Sequence, residues 1–180
     1  MGRPTWLTLA YAARDAGDEQ RAAAILREAA SEGHPEALVR LAIMIWPKQE
    51  SVADELIANA EAQVGDEDFD THFALHHAYS LGIQGMAPGA KRPESATARY
   101  QLRAGKAFRH LKVAAELDGH PRLRFSVGVH YWHGLNGVEK DDAEAEYWLS
   151  QAARSLEPDI VKAYRKFSRE RSRKSRRSEA

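Results

Sequence analysis

Apolar positions along this chain recur in steps of four, four and three, and the same helix is written several times. Asp18, Ala22, Leu26, Ala29, Ala30 and Gly33 mark one copy, and Asp141, Ala145, Leu149, Ala152, Ala153 and Leu156 repeat its offsets. A third copy carries Ala107, Leu111, Ala114 and Ala115, and a fainter fourth carries Ala53, Ile57 and Ala60. Such steps place side chains on one helical stripe. The alanines let a neighbouring helix approach closely, and the leucines fill the space between. The strict alternation of a half-buried strand does not occur.

A second helix type follows each of these. His34-Pro35-Glu36-Ala37-Leu38 corresponds to His120-Pro121-Arg122-Leu123-Arg124, and Glu157-Pro158-Asp159 opens a further copy. Proline suits the first helical turn, where its missing N–H has no intrahelical partner to lose. Gly33 and Gly119 stand where the preceding helices end, because glycine accepts the left-handed conformation there. Within this second type, Val127, Gly128, Tyr131, Gly134 and Gly137 align with Leu75, His76, Tyr79, Gly82 and Gly85. Leu7, Tyr11 and Gly17 form a weaker version; Leu41, Ala42 and Ile45 form one without the aromatic or the glycines. The pattern predicts four helix pairs and a final half repeat from about Pro158.

The series Val127-Gly128, Tyr131, Gly134, Gly137-Val138, Asp141, Ala145, Trp148 and Ala152-Ala153 resembles the Sel-one-like repeat, a variant of the tetratricopeptide repeat. The resemblance is clearest over residues 120–156, continues over 18–46 and is partial over 69–119. Two departures stand out. His76 occupies the position where the family has a small close-packing residue, and about 14 extra residues follow Gly85. The resemblance implies an all-α fold: a right-handed α/α solenoid of about four helix pairs with a C-terminal half-repeat cap. One repeat domain is expected over 1–167, with an insertion at about 86–99, and a basic, disordered tail over 168–180. Such an insertion is a candidate partner contact, or a tolerated surface excursion.

The same resemblance implies an adaptor that binds another protein or peptide in the groove lined by the first helix of each pair. Carried over by position, Arg122, Phe125, Val129, Trp132 and His133 face that groove. In the preceding pair Asp70, Phe73, His77 and Ser80 do so, and before them Glu36, Val39, Ile43 and Trp46. Aromatic residues interspersed with charges suit an interface. Apolar residues at helical spacing equally fill a core; Trp46 and Trp132 have that second reading, and Trp148 reads as core.

Composition narrows the chemistry. The absence of cysteine removes disulfides, thiolate metal sites and thiol nucleophiles. No apolar run approaches the roughly 18 residues of a membrane span, and no continuous apolar stretch near Met1 suggests a secretory signal. A cytoplasmic protein is the expectation. Neither a nucleophile elbow nor a phosphate-binding loop is present, so no enzyme activity, catalytic residue or cofactor is expected. His72, His76 and His77, and separately His130 and His133, have spacings that two imidazole ligands need. No carboxylate completes either set, and no metal site is expected.

The formal net charge of zero conceals an asymmetry. From Lys162 onward there are nine Lys or Arg and two Glu, a sum of +7, which leaves −7 on the preceding 161 residues. Arg169, Arg171, Arg173, Lys174, Arg176 and Arg177, interleaved with serines, form a segment suited to nucleic-acid phosphates. A solvated, solubilising tail is the simpler reading. Nucleic acid is thus an alternative partner, and self-association a further one, because open solenoid ends expose apolar surface unless capped. Ile160, Val161, Tyr164 and Phe167 supply an apolar face for such a cap.

Overall fold

Capping chemistry sets the helix boundaries. Asp18 accepts a hydrogen bond from the Arg21 backbone N–H at 2.9 Å. Asp141 accepts from Ala143 N–H at 2.8 Å and Glu144 N–H at 3.0 Å. Each satisfies donors that the first helical turn leaves unpaired, as aspartate at a helix start does. At the other end, Gly33 adopts φ +91°, and the His34 N–H returns to the Ala29 carbonyl at 3.2 Å, closing a Schellman turn. Leu156, the counterpart of Gly33 in the later copy, takes the same left-handed backbone at φ +62° although it is no glycine.

The structure is a computed structural model that describes residues 4–84 and 94–178. Among these residues every regular element is helical: α1 (Thr5–Asp15), α2 (Glu19–Ser31), α3 (Pro35–Ile45), α4 (Glu50–Gln63), α5 (Phe69–Gln84), α6 (Glu94–Asp118), α7 (Pro121–His133), α8 (Asp142–Ala153) and α9 (Pro158–Ser178). The all-α repeat architecture is that expected from the spacing. The chain divides into two compact units, Met1–Gly85 and Met86–Ala180. Residues 86–93 of the insertion lie outside the described residues, and α6 begins at Glu94 within it. No helix among the described residues is long and apolar enough to cross a membrane.

In the first unit, α1 packs on α2, α2 on α3, and α3 on both α4 and α5. Its core includes Leu26, Ala29 and Leu41 of the predicted stripes: they are buried together with Ala10, Ala23 and Ala37, with Trp6, Ile25 and Met44 against them. Ala53, Ile57 and Ala60 of α4 are buried as well.

In the second unit α7 is central, packing on α6, α8 and α9. Gly128 sits where a β-carbon would lie 2.7 Å from Leu149 Cγ and 3.0 Å from the Leu149 backbone nitrogen. Only glycine allows α7 and α8 to approach this closely. Trp148 is buried with Leu111, Ala115 and Val127. The C-terminal helix closes the unit: Ile160 is fully buried and Phe167 is 1% exposed. Helix α9 also runs through the basic segment expected to be disordered. The Arg171 guanidinium reaches Glu146 Oε2 at 3.2 Å, and lysine and arginine are good helix formers once a helix is nucleated against a core.

Candidate protein-binding surfaces

Helix α3 brings one sequence-predicted groove residue, Ile43, to a surface and buries two others. Ile43 lines an open cleft of about 690 Å³ in the first unit, together with His77 from α5. The cleft's other walls are Tyr11 and Arg14 of α1 and Arg40 and Met44 of α3. Two guanidinium groups lie over the Tyr11 ring, Arg14 at 4.8 Å and Arg40 at 6.0 Å from its centroid. Asp15 and Glu19 also line it, and Arg14 pairs with Asp15 at 3.7 Å, so the cleft combines an aromatic face, two thioether- or branched-chain contacts and a rim of mixed charge. Tyr11, Arg14, Arg40 and Met44 were not anticipated. Tyr11 holds the packing position of the weakest repeat copy, and nothing in local spacing shows that α1 and α3 leave this space between them.

Val39 is a correction. It is completely buried and belongs to the core of α3, so it presents no surface to a partner. The stripe that carries a groove and the stripe that carries a core differ by a fraction of a helical turn. Glu36, also expected in the groove, is buried and accepts from Arg40 Nε at 3.0 Å and from its terminal nitrogen at 2.8 Å. Burial pushes the Glu36 carboxyl above its ordinary range despite the opposing pull of Arg40. The pair therefore locks the side of Arg40 that borders the cleft. Trp46 is half-buried, and Phe73 is exposed and stacked on Phe69 at 5.8 Å. Asp70 is exposed and Ser80 half-buried.

In the second unit Arg122 and His133 are exposed on α7, while Phe125 and Val129 are partly buried. Arg122 is drawn into ion pairs with Glu157 at 2.6 Å and Asp159 at 3.3 Å. Trp132 is the second correction: it is 6% exposed. Its ring meets Phe167 edge-on at 5.3 Å, within a cluster that includes Ala145 and Leu149. Its outer face is covered by His133, stacked at 4.4 Å. Trp132 therefore anchors α9 and leaves His133 to face outward.

No family model matches the chain, and no curated protein matches its sequence. One solved structure aligns along most of its length. It is a protein of Klebsiella pneumoniae subsp. pneumoniae described as a sel1 repeat protein, with 18% identity over 91% of this chain and 91% of that chain, at a TM-score of 0.38.

The histidine spacings resolve into separate environments. His72 is buried, His76 half-buried and His77 exposed. No group of three or more potential ligands from His, Cys, Asp and Glu occurs among the described residues. His130 holds the turn after α7: its Nδ1 lies 2.8 Å from the Ser126 carbonyl and its Nε2 lies 3.1 Å from the Asn136 side-chain amide. Since a carbonyl only accepts, Nδ1 carries the proton and Nε2 accepts from Asn136, the neutral tautomer. Asn136 in turn sits at φ +54° and accepts from the Tyr100 hydroxyl at 3.3 Å.

Burial lowers the His130 pKa below its ordinary value of 6.5. Above 6.5 the ring is neutral in both folded and unfolded chains, and its contribution to stability is fully present. As pH falls from 6.5 toward the depressed folded value, the unfolded chain takes up the proton first and stability is lost. Urea unfolding at pH 7.5 and pH 5.5 is expected to show a smaller loss for His130→Gln than for the natural chain. Equal losses in the two proteins would place the pH dependence elsewhere.

Proposed function

We propose that this protein is a non-catalytic interaction module that holds another protein or peptide. The observation that carries this reading is the open cleft between α1 and α3, in which Tyr11, Arg14, Arg40, Ile43, Met44 and His77 converge. Tyrosine, arginine and methionine are the residue types enriched at protein interfaces. A cleft of this size suits a few side chains of a partner segment, within the range of natural binding sites. Glu36 fixes Arg40 from behind, so part of the cleft wall is preorganised and less side-chain entropy is lost on binding. Exposed Phe73 and half-buried Trp46 are further candidate contacts on the first unit, as are Arg122, Phe125, Val129 and His133 on the second.

Affinity capture from native lysate, washed at rising salt, tests the proposal. The natural chain is expected to retain a discrete protein at high salt, and a Tyr11→Ala/His77→Ala variant of unchanged helicity is expected to lose it. Retention of the same proteins by both chains would refute the cleft as the binding site.

A further inference from the structure

Five basic residues share one face of helix α9. Lys162, Arg165, Lys166, Arg169 and Arg173 of α9 are all exposed. Their separations of three, four, seven and eleven from Lys162 confine them to a single stripe, about 17 Å long at the rise of an α-helix. The apolar residues of the helix lie elsewhere: Ile160 and Phe167 are buried, and Tyr164 packs beside Phe167 on the cluster of Trp132 and Leu149. Arg171 is turned to Glu146. The cationic face is thus held outward by the packing of the opposite side.

We propose that this face of α9 binds the phosphate backbone of nucleic acid without reading its sequence. Between Lys162 and Arg177 there are nine Lys or Arg and a single Glu, Glu170; Glu170 pairs with Lys166 at 4.0 Å and leaves a net positive stripe that a polyphosphate matches. Duplex DNA offers one charge per roughly 1.7 Å of its axis. Lysine and arginine contacts to phosphate position a protein and carry no base information. An anionic bilayer is the poorer match, because an interfacial helix inserts apolar side chains and those of α9 are already committed to the core. The acidic remainder of the chain, at −7 over its first 161 residues, repels phosphate and confines contact to this helix.

The test is fluorescence anisotropy of the full chain with a labelled 20-base-pair DNA duplex between 25 and 200 mM salt. Three to five phosphate contacts give a slope of log affinity against log salt of about −2.7 to −4.5. The variant Lys162→Gln/Lys166→Gln/Arg169→Gln, checked for unchanged helicity, is expected to bind at least about tenfold more weakly, with a slope shallower by about 2.7. A chain ending at Arg173 is expected to keep measurable, salt-dependent binding. The proposal is overturned if the natural chain does not bind at 25 mM salt, or if the triple variant binds like it. It is equally overturned if the shortened chain loses all binding, or if phosphatidylserine vesicles compete better than unlabelled duplex. Salt-sensitive self-association in sedimentation, without duplex binding, would instead identify a second copy's acidic surface as the occupant.

Discussion

Phe167→Ala is expected to destabilise the second unit by about 3–5 kcal/mol, the cost of truncating a buried aromatic side chain. Phe167 is 1% exposed and meets Trp132 edge-on at 5.3 Å. Its removal opens a cavity beside Trp132 and Leu149 and weakens the contact by which α9 closes the repeats. For a unit of this size each 1 kcal/mol moves the melting temperature by roughly 4–8 °C, so the loss exceeds about 10 °C. Phe167→Leu, which preserves most of the apolar volume, is expected to retain the greater part of the stability. Thermal melts and urea titrations of both variants measure this. A loss below about 1 kcal/mol, the level of an ordinary surface change, would mean that α9 is not anchored through this ring.

Two glycines are expected to respond to the same substitution with opposite signs. A methyl at Gly128 lies 2.7 Å from Leu149 Cγ and 3.0 Å from the Leu149 backbone nitrogen. The leucine can rotate, but the backbone of α8 must move, and overpacking of this kind costs about 1–3 kcal/mol. The gain in helix propensity, at most about 1 kcal/mol, offsets only part of that. Gly105 lies within α6 with nothing within 4 Å of the added carbon, so Gly105→Ala there is expected to stabilise by about 0.5–1 kcal/mol. Parallel urea titrations of Gly128→Ala and Gly105→Ala check both signs. Equal stabilisation by the two changes would contradict the close approach of α7 and α8.

These residues show where the sequence speaks clearly. Asp18, Asp141, Gly33 and Gly119 act through local hydrogen bonds and backbone conformation, so their positions alone mark helix ends. The Ala and Leu steps act through nearest neighbours and identify the buried stripes. Trp132 and Val39 were less legible, because the residue spacing of a groove and of a core differ little. Whether Trp132 is exposed depends on Phe167, 35 positions away and on another helix. The cleft at Tyr11 was hidden for a related reason: it exists through the separation of α1 from α3, which no short motif encodes. In α9 the Arg/Ser composition points to disorder, while Ile160 and Phe167 dock the helix and let its basic continuation follow.

The proposed capture of a partner in the first unit is tested most directly by photocross-linking. Tyr11, inside the cleft, and Tyr147, 56% exposed on α8, are replaced one at a time by p-benzoylphenylalanine in the full chain. The labelled proteins are then irradiated in native lysate. A discrete adduct with one polypeptide is expected from position 11, and no such adduct from position 147. The same set of adducts from both positions, or none from position 11 in a folded protein, would contradict the proposed capture.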